Sequence, residues 1–278
     1  MLNEYVKFTD NLSVQVYENS KHGTSMKDDA VKTFFNKTFS IYAKFKLDKT
    51  AFCNAENTYG VFAKQGMHSG VWLRDSCVVG LVFTQDEKNN VKEIALPIWI
   101  DEKEFYSEIQ ILFQVDNENK KVKLYVNDKE AEATLDNPVV DYSQAPFWIG
   151  ACAPWYTEDL QWFFNGEIYE FAINEKFLNE EQVKTIFVNK GYTNIVNSEI
   201  NESLFAWYEF TIKNFSRFKV FDKSNNGNHG IVPDWHFLEV RDKLQAYSRD
   251  KIEISEFGKK LIPKKEEVKN KSNPFNLI

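Results

Sequence analysis

From Phe39 onward the chain alternates apolar and polar positions with a period of two. FSIYAKFKL puts Phe39, Ile41, Ala43, Phe45 and Leu47 on one face and Ser40, Tyr42, Lys44 and Lys46 on the other. LSVQVYE does the same earlier, with Leu12, Val14 and Val16 against Ser13, Gln15 and Tyr17, and HGTSMKDDAVKT after it reads as a surface loop. VFAKQ, GVWLRD and CVVGLVFTQ follow as short strands joined at Gly66 and at Asp75-Ser76. EIALPIWI, YSEIQILFQVD and KKVKLYVND continue the rhythm, the last two linked by a polar hairpin loop. Between Gln161 and Gln182, an apolar run through Phe164, Ile168 and Phe171–Ile173 predicts a long strand with a bulge or tight bend near Gly166. Asn179 then stands before Glu180, Glu181 and Gln182, an N-cap acceptor with acids in the first turn, which predicts a short helix ending before Gly191.

Many short strands, with no helical period before residue 179, predict an all-β, antiparallel two-sheet β-sandwich of jelly-roll type. Beyond the helix the pattern returns to strand in SLFAWYEF and FKVFDKSNNGNHGIV, before a stretch from Arg241 to about Ile254 that reads as helical. The last residues carry six lysines between Lys259 and Lys271 against two glutamates, a solvated arm or a docking segment for a protein partner. The expected organisation is one sandwich domain over residues 1–240, with 204–232 completing it, and a helical then lysine-rich tail over 241–278.

Composition narrows the function classes. The chain has 278 residues, 43% of them hydrophobic and 15% aromatic, ample for a packed core, and its net charge of −7 gives no basic surface for nucleic acid. No apolar run reaches the roughly 20 residues needed to span a bilayer, and MLNEYVKFTD lacks the form of a secretory leader. Cys53, Cys77 and Cys152 are odd in number and without metal-ligand spacing, so they read as buried thiols in a reducing compartment. The expectation is a protein cytoplasmic as synthesised, open to association with a particle or surface.

FNGEIYEFAINEKFLNEEQVKTIF resembles the closing strand and following helix of laminin-G-like jelly rolls in the concanavalin A-like lectin/glucanase superfamily. PFWIGA, DNENKKVKLYVNDKEAEAT, FSIYAKFKL and VFAKQG with GVWLRD fall in the same order, so the resemblance spans about residues 10 to 190. SLFAWYEF with FKVFDKSNNGNHG resembles the phrase that opens such domains, with Asn225 where glycine is usual. It stands here at the other end of the chain. Either a second copy begins and is cut short, or the chain is permuted and this segment completes the one sandwich; the length left after Gly230 favours completion.

No phosphate loop, serine elbow, cysteine/histidine metal quartet or H-E-x-x-H helix occurs. Glucanases of the resembling superfamily place acid and nucleophile two or four apart on one strand, and the nearest pair here, Glu167 and Glu170, is three apart. The leading expectation is therefore a non-catalytic, lectin-like module that binds a glycan or surface polysaccharide. A structural or assembly sandwich that binds protein is the second reading, and a glycoside hydrolase with displaced carboxylates the third. Sugar sites need flat aromatics and directional polar groups. Two sets qualify: Trp155, Tyr156 and Asp159 in the loop APWYTED, and Trp72, Arg74 and Asp75 with His68 before them. Asp222, Asn226, Asn228 and His229 form either a self-satisfied turn or hard-oxygen ligands. The resemblance implies a structural Ca2+ there, with Glu170 as the acidic partner.

Overall fold

The computed structural model describes residues 7–8, 14–16, 37–49, 58–64, 69–139, 147–151, 162–195, 199–214, 219–231 and 252–253. In chain order the strands are β1 (Lys7–Phe8), β2 (Val14–Val16), β3 (Phe39–Leu47), β4 (Tyr59–Lys64), β5 (Gly70–Arg74), β6 (Cys77–Gln85) and β7 (Val91–Trp99). Helix α1 (Glu102–Phe105) precedes β8 (Glu108–Asp116), β9 (Lys121–Val126), β10 (Lys129–Thr134), β11 (Phe147–Ile149) and β12 (Gly166–Asn174). Helices α2 (Glu180–Val188) and α3 (Glu199–Glu202) lead into β13 (Leu204–Glu209), a 3-10 turn at Ile212–Asn214, β14 (Lys219–Val220), β15 (Gly230–Ile231) and β16 (Ile252–Glu253).

These strands form two stacked sheets. The first runs β1-β12-β3-β8-β9-β10 with β13 also on β12, and the second runs β14-β15-β2-β11-β4-β5-β6-β7-β16. All pairings are antiparallel except β16 with β7. Between them lies one core in which Phe62 and Phe147 of the second sheet meet Phe113 and Phe171 of the first at ring separations of 5.5 to 6.3 Å. The sheets approach so closely at Gly80 that a Cβ there would stand 2.7 Å from the Phe113 ring. Shape, not backbone freedom, requires that glycine.

Local rules account for the connections. Asp75 and Ser76 adopt φ of 52° and 58°, so β5 and β6 join in a two-residue hairpin with Arg74 opposite Cys77. Asn179 caps α2 reciprocally with Gln182, its side chain accepting from Gln182 N at 2.9 Å and Gln182 Oε1 accepting from Asn179 N at 3.1 Å. Buried Val183 and Ile186 of this helix face the outside of the first sheet, where Tyr42, Leu112, Ala172, Leu178, Tyr192, Ile195 and Leu204 form a second apolar cluster. Tyr42 and Ser40 therefore lie buried on the polar phase of β3, with Ser40 Oγ 2.7 Å from Gln114 Oε1.

The first two strands and the segment 204–231 add to the same two sheets. β1 and β13 share one edge of β12, pairing with residues 166–167 and 170–174 respectively, while β15 pairs with β2 in the opposite sheet. The segment 204–231 thus supplies strands to both sheets. The helical reading of Arg241 to Ile254 is corrected at Ile252–Glu253, which pair as strand with Val91–Lys92 because the β7 edge offers open backbone groups; its other residues lie outside the described ones. Among the described residues, no helix is long and apolar enough to cross a membrane.

Candidate functional site

The second sheet turns β5, β6 and β7 so that alternate residues leave the core. Val71, Leu73, Val78, Val82, Leu96 and Ile98 point inward, while Trp72, Cys77, Val79 and Leu81 form an apolar cluster on the outer face with Ala63. The cross-strand row Arg74, Cys77, Trp99 closes this face at the β5–β6 turn. Trp99 is 58% exposed, an unusual state for a strand tryptophan, and Pro97 two residues before it on the same face is exposed as well. The backbone bond from Ile100 N to Ser76 O, 3.1 Å, ties this end of β7 to the Asp75-Ser76 turn.

Polar groups lie along the same end of the sheet. Arg74 is 8% exposed, and its Nε stands 3.8 Å from Asp75 Oδ2. Lys129 Nζ donates to Trp99 O at 3.3 Å and to Glu104 Oε2 at 2.9 Å, and that bond pulls the Glu104 carboxyl below its usual range and raises Lys129. Trp162 packs half-buried against the outer-face cluster, with a φ of 51°. Bulky side chains seldom adopt that conformation, which concentrates at binding sites.

The anticipated residues separate here. Arg74 and Asp75 lie at the exposed end of the face, whereas Trp72 is fully buried beneath it. His68, Trp155, Tyr156 and Asp159 lie outside the described residues. Trp99 was missed by sequence reasoning, although a signal exists: it falls out of phase with Leu96, Ile98 and Ile100, which alternate into the core.

Asp222, Asn226 and Asn228 come together in one turn. Asp222 Oδ1 accepts from Trp207 N and Ser224 N, and Oδ2 from Ser224 Oγ and Asn228 N, all at 2.8 to 2.9 Å. Asn226 and Asn228 direct Nδ2 to the carbonyls of Leu204 and Phe205 at 2.6 and 2.7 Å. His229 Nδ1 accepts from Asp222 N at 3.0 Å, and burial lowers the imidazole's pKa. Calcium needs six to eight oxygens. Both carboxylate oxygens of Asp222 are already filled by two donors each, so the turn as arranged does not fit the ion. Among the described residues no group of three or more His, Cys, Asp or Glu side chains is arranged to hold a metal.

Glu170 serves a different neighbourhood. A register shift between Ile168 and Glu170 places one extra residue in β12 against β3, so Glu167 opposite Lys46 and Glu170 opposite Lys44 share the outer face despite their odd spacing. The shift falls at Tyr169 and not at Gly166, which instead is required by close approach: a Cβ there would meet Lys46 O at 2.1 Å. Glu167 accepts from Tyr169 Oη at 2.7 Å. Glu170 is 2% exposed; its Oε1 accepts from Trp207 Nε1 at 2.7 Å and Tyr192 N at 2.9 Å, while Oε2 lies under Gly191 without a hydrogen bond. Burial pushes this carboxyl up to about 7, against the opposing pull of Lys44 and the two donors.

The chain is thus an antiparallel two-sheet β-sandwich with an aromatic outer face. No protein-family model matches the sequence, and no curated protein matches it. Among solved structures it is similar to a candidate carbohydrate binding protein from Bacteroides ovatus, at a TM-score of 0.56 and 14% identity, over 81% of this chain and 56% of that one. The chain therefore spans little more than half the length of that protein. It also resembles the CBM40 of a Ruminococcus gnavus IT-sialidase, at a TM-score of 0.46 and 14% identity over 68% of this chain and 97% of that one. The same CBM40 bound to α2,3-sialyllactose overlays at 0.45 with 15% identity, over 68% and 96%. The first likeness shows a shared fold; the looser two carry no argument.

Proposed function

We propose that the protein is a non-catalytic, lectin-like module that binds a glycan on the outer face of its nine-stranded sheet, at Trp99. The observation that carries the reading is the exposed indole on the outer face of β7, in one cross-strand row with Arg74 at the Asp75-Ser76 turn. Pyranose rings offer an apolar C–H face to such a platform and hydroxyls to neighbouring ionised or amide groups. The Bacteroides ovatus likeness agrees in fold with this use, and the laminin-G-like resemblance of residues 10 to 190 supports the same class. The burial of Glu170 beneath Gly191 supports a binding rather than hydrolytic role, since a glycosidase sets both carboxyls at the scissile bond. Trp155, Tyr156 and Asp159 are proposed as further contacts from their loop.

A glycan array probed with the protein at high surface density tests this. Millimolar sites supply only about 4 kcal/mol and need multivalency to register. The reading expects retention on a restricted set of glycans, lost in Trp99→Ala. An array silent at every density, together with tight capture of a defined protein, would replace it with the assembly role.

A further inference from the structure

The charges around Trp99 carry the reading one step further, to the class of sugar. Both nearby basic groups whose contacts are described have an acid beside them, Lys129 hydrogen-bonded to it and Arg74 at ion-pair distance. The Arg74 guanidinium stands against Asp75, and Lys129 is held by Glu104, with Asp101 and Asp128 adding to the negative field on its ammonium. Around this end of β7 the acids Asp75, Asp101, Glu102, Glu104 and Asp128 outnumber the bases Arg74, Lys103 and Lys129. A carboxylate on a ligand would enter a field of its own sign here.

The apolar side of the site is laid out along the strand. Pro97 and Trp99 project from one face two residues apart, roughly 7 Å along the strand, and half-buried Ala95 continues the strip. Such a strip matches the C–H face of one or two uncharged pyranose rings. Asp75 at its end is an acceptor pair for hydroxyl donors, as carboxylates are in a polar rim.

We infer that the Trp99 site takes a neutral saccharide and discriminates against sugars that bear a carboxylate. This rests on the glycan-binding reading and narrows it. Hydroxyl groups are recognised through Asp75 and the paired Arg74, and the indole and Pro97 take the ring face.

The test is ligand-observed saturation-transfer NMR with the full chain, using a panel of neutral hexose and N-acetylhexosamine oligosaccharides, sialyllactose and glucuronide-terminated oligosaccharides. Each is measured on the wild type and on Trp99→Ala, at low and high sodium chloride. The inference expects transfer to one or more neutral sugars, at least about fivefold weaker Kd for the matching acidic sugar, little change with salt, and loss in Trp99→Ala. Trp99-dependent binding of an acidic sugar in preference to every neutral one, weakened by salt, overturns the inference and leaves the glycan-binding reading standing. Absence of transfer from every sugar overturns both. Binding unaffected by Trp99→Ala removes the site from Trp99 and overturns the inference. The melting temperature of Trp99→Ala is recorded beside it, and Trp99→Phe, which keeps a flat ring, should retain part of the binding.

Discussion

Replacing Glu170 by glutamine should reverse the order of stability between acid and alkaline pH. The carboxyl sits under Gly191 with its pKa moved from 4.5 to about 7 in the folded chain, chiefly by desolvation. An acid whose folded pKa is raised binds its proton more tightly when folded, so its stabilising term is complete below about 4.5 and is lost as pH rises through about 7. At about 1.4 kcal/mol per pH unit the full loss is about 3 to 4 kcal/mol, of which about 3 falls between pH 4.5 and 8. Glutamine keeps an oxygen for Trp207 Nε1 and Tyr192 N but brings an amide under Gly191 in place of Oε2, an unsatisfied donor costing about 1 to 2 kcal/mol. Glu170→Gln should therefore be the less stable protein at pH 4.5 and the more stable by about 1 to 2 kcal/mol at pH 8. Urea unfolding of both proteins at half-unit steps of pH reads the difference directly, cancelling every other titrating group. A difference constant within about 0.5 kcal/mol across that range would refute the reasoning, because the buried carboxyl would then not be taking up a proton with folding.

Gly70→Ala should cost about 3 kcal/mol in the same urea assay, since its Cβ would stand 2.2 Å from Phe62 O and 2.7 Å from Ala63 Cα, both backbone atoms that cannot yield without parting β4 from β5; a loss under about 0.5 kcal/mol would contradict that packing. A chain ending at residue 203 lacks β13, β14, β15 and β16 and leaves edges of both sheets open, so it should show no cooperative melt by calorimetry; a soluble product with a sharp transition would make the residues from 204 onward a separate unit. Adding Ca2+ or EDTA should leave Tm unchanged, because the Asp222 oxygens are already filled; a rise with Ca2+ would show an ion bound to the folded state.

Much of this architecture is readable from local chemistry. The β3 alternation, the Asp75-Ser76 turn and the Asn179 cap are each set by neighbours a few residues away, and each stands where its pattern puts it. Helix α1 escaped because a single turn shows no period; its Asp101–Glu104 capping box was the available sign. The extra residue at Tyr169, which brings Glu167 and Glu170 to one face, is a property of the β12–β3 pairing and leaves no mark in spacing. Trp72 and Trp99 show the same limit at the site. Both lie on the outward phase of their strands, and what separates the buried ring from the exposed one is which part of the sheet other chain segments cover.

The proposed site stands or falls on whether Trp99 is a sugar platform or a stray exposed ring. Its most direct measurement is a calorimetric titration of the strongest array glycan into wild type and Trp99→Ala, with the melting temperature of each taken on the same samples. A platform role requires a Kd raised about tenfold or more in the variant, equivalent to about 1.4 kcal/mol, with Tm nearly unchanged because a ring 58% exposed contributes little to the core. Equal affinity in the two proteins, or a fall in Tm as large as that of a core phenylalanine truncation, would contradict it.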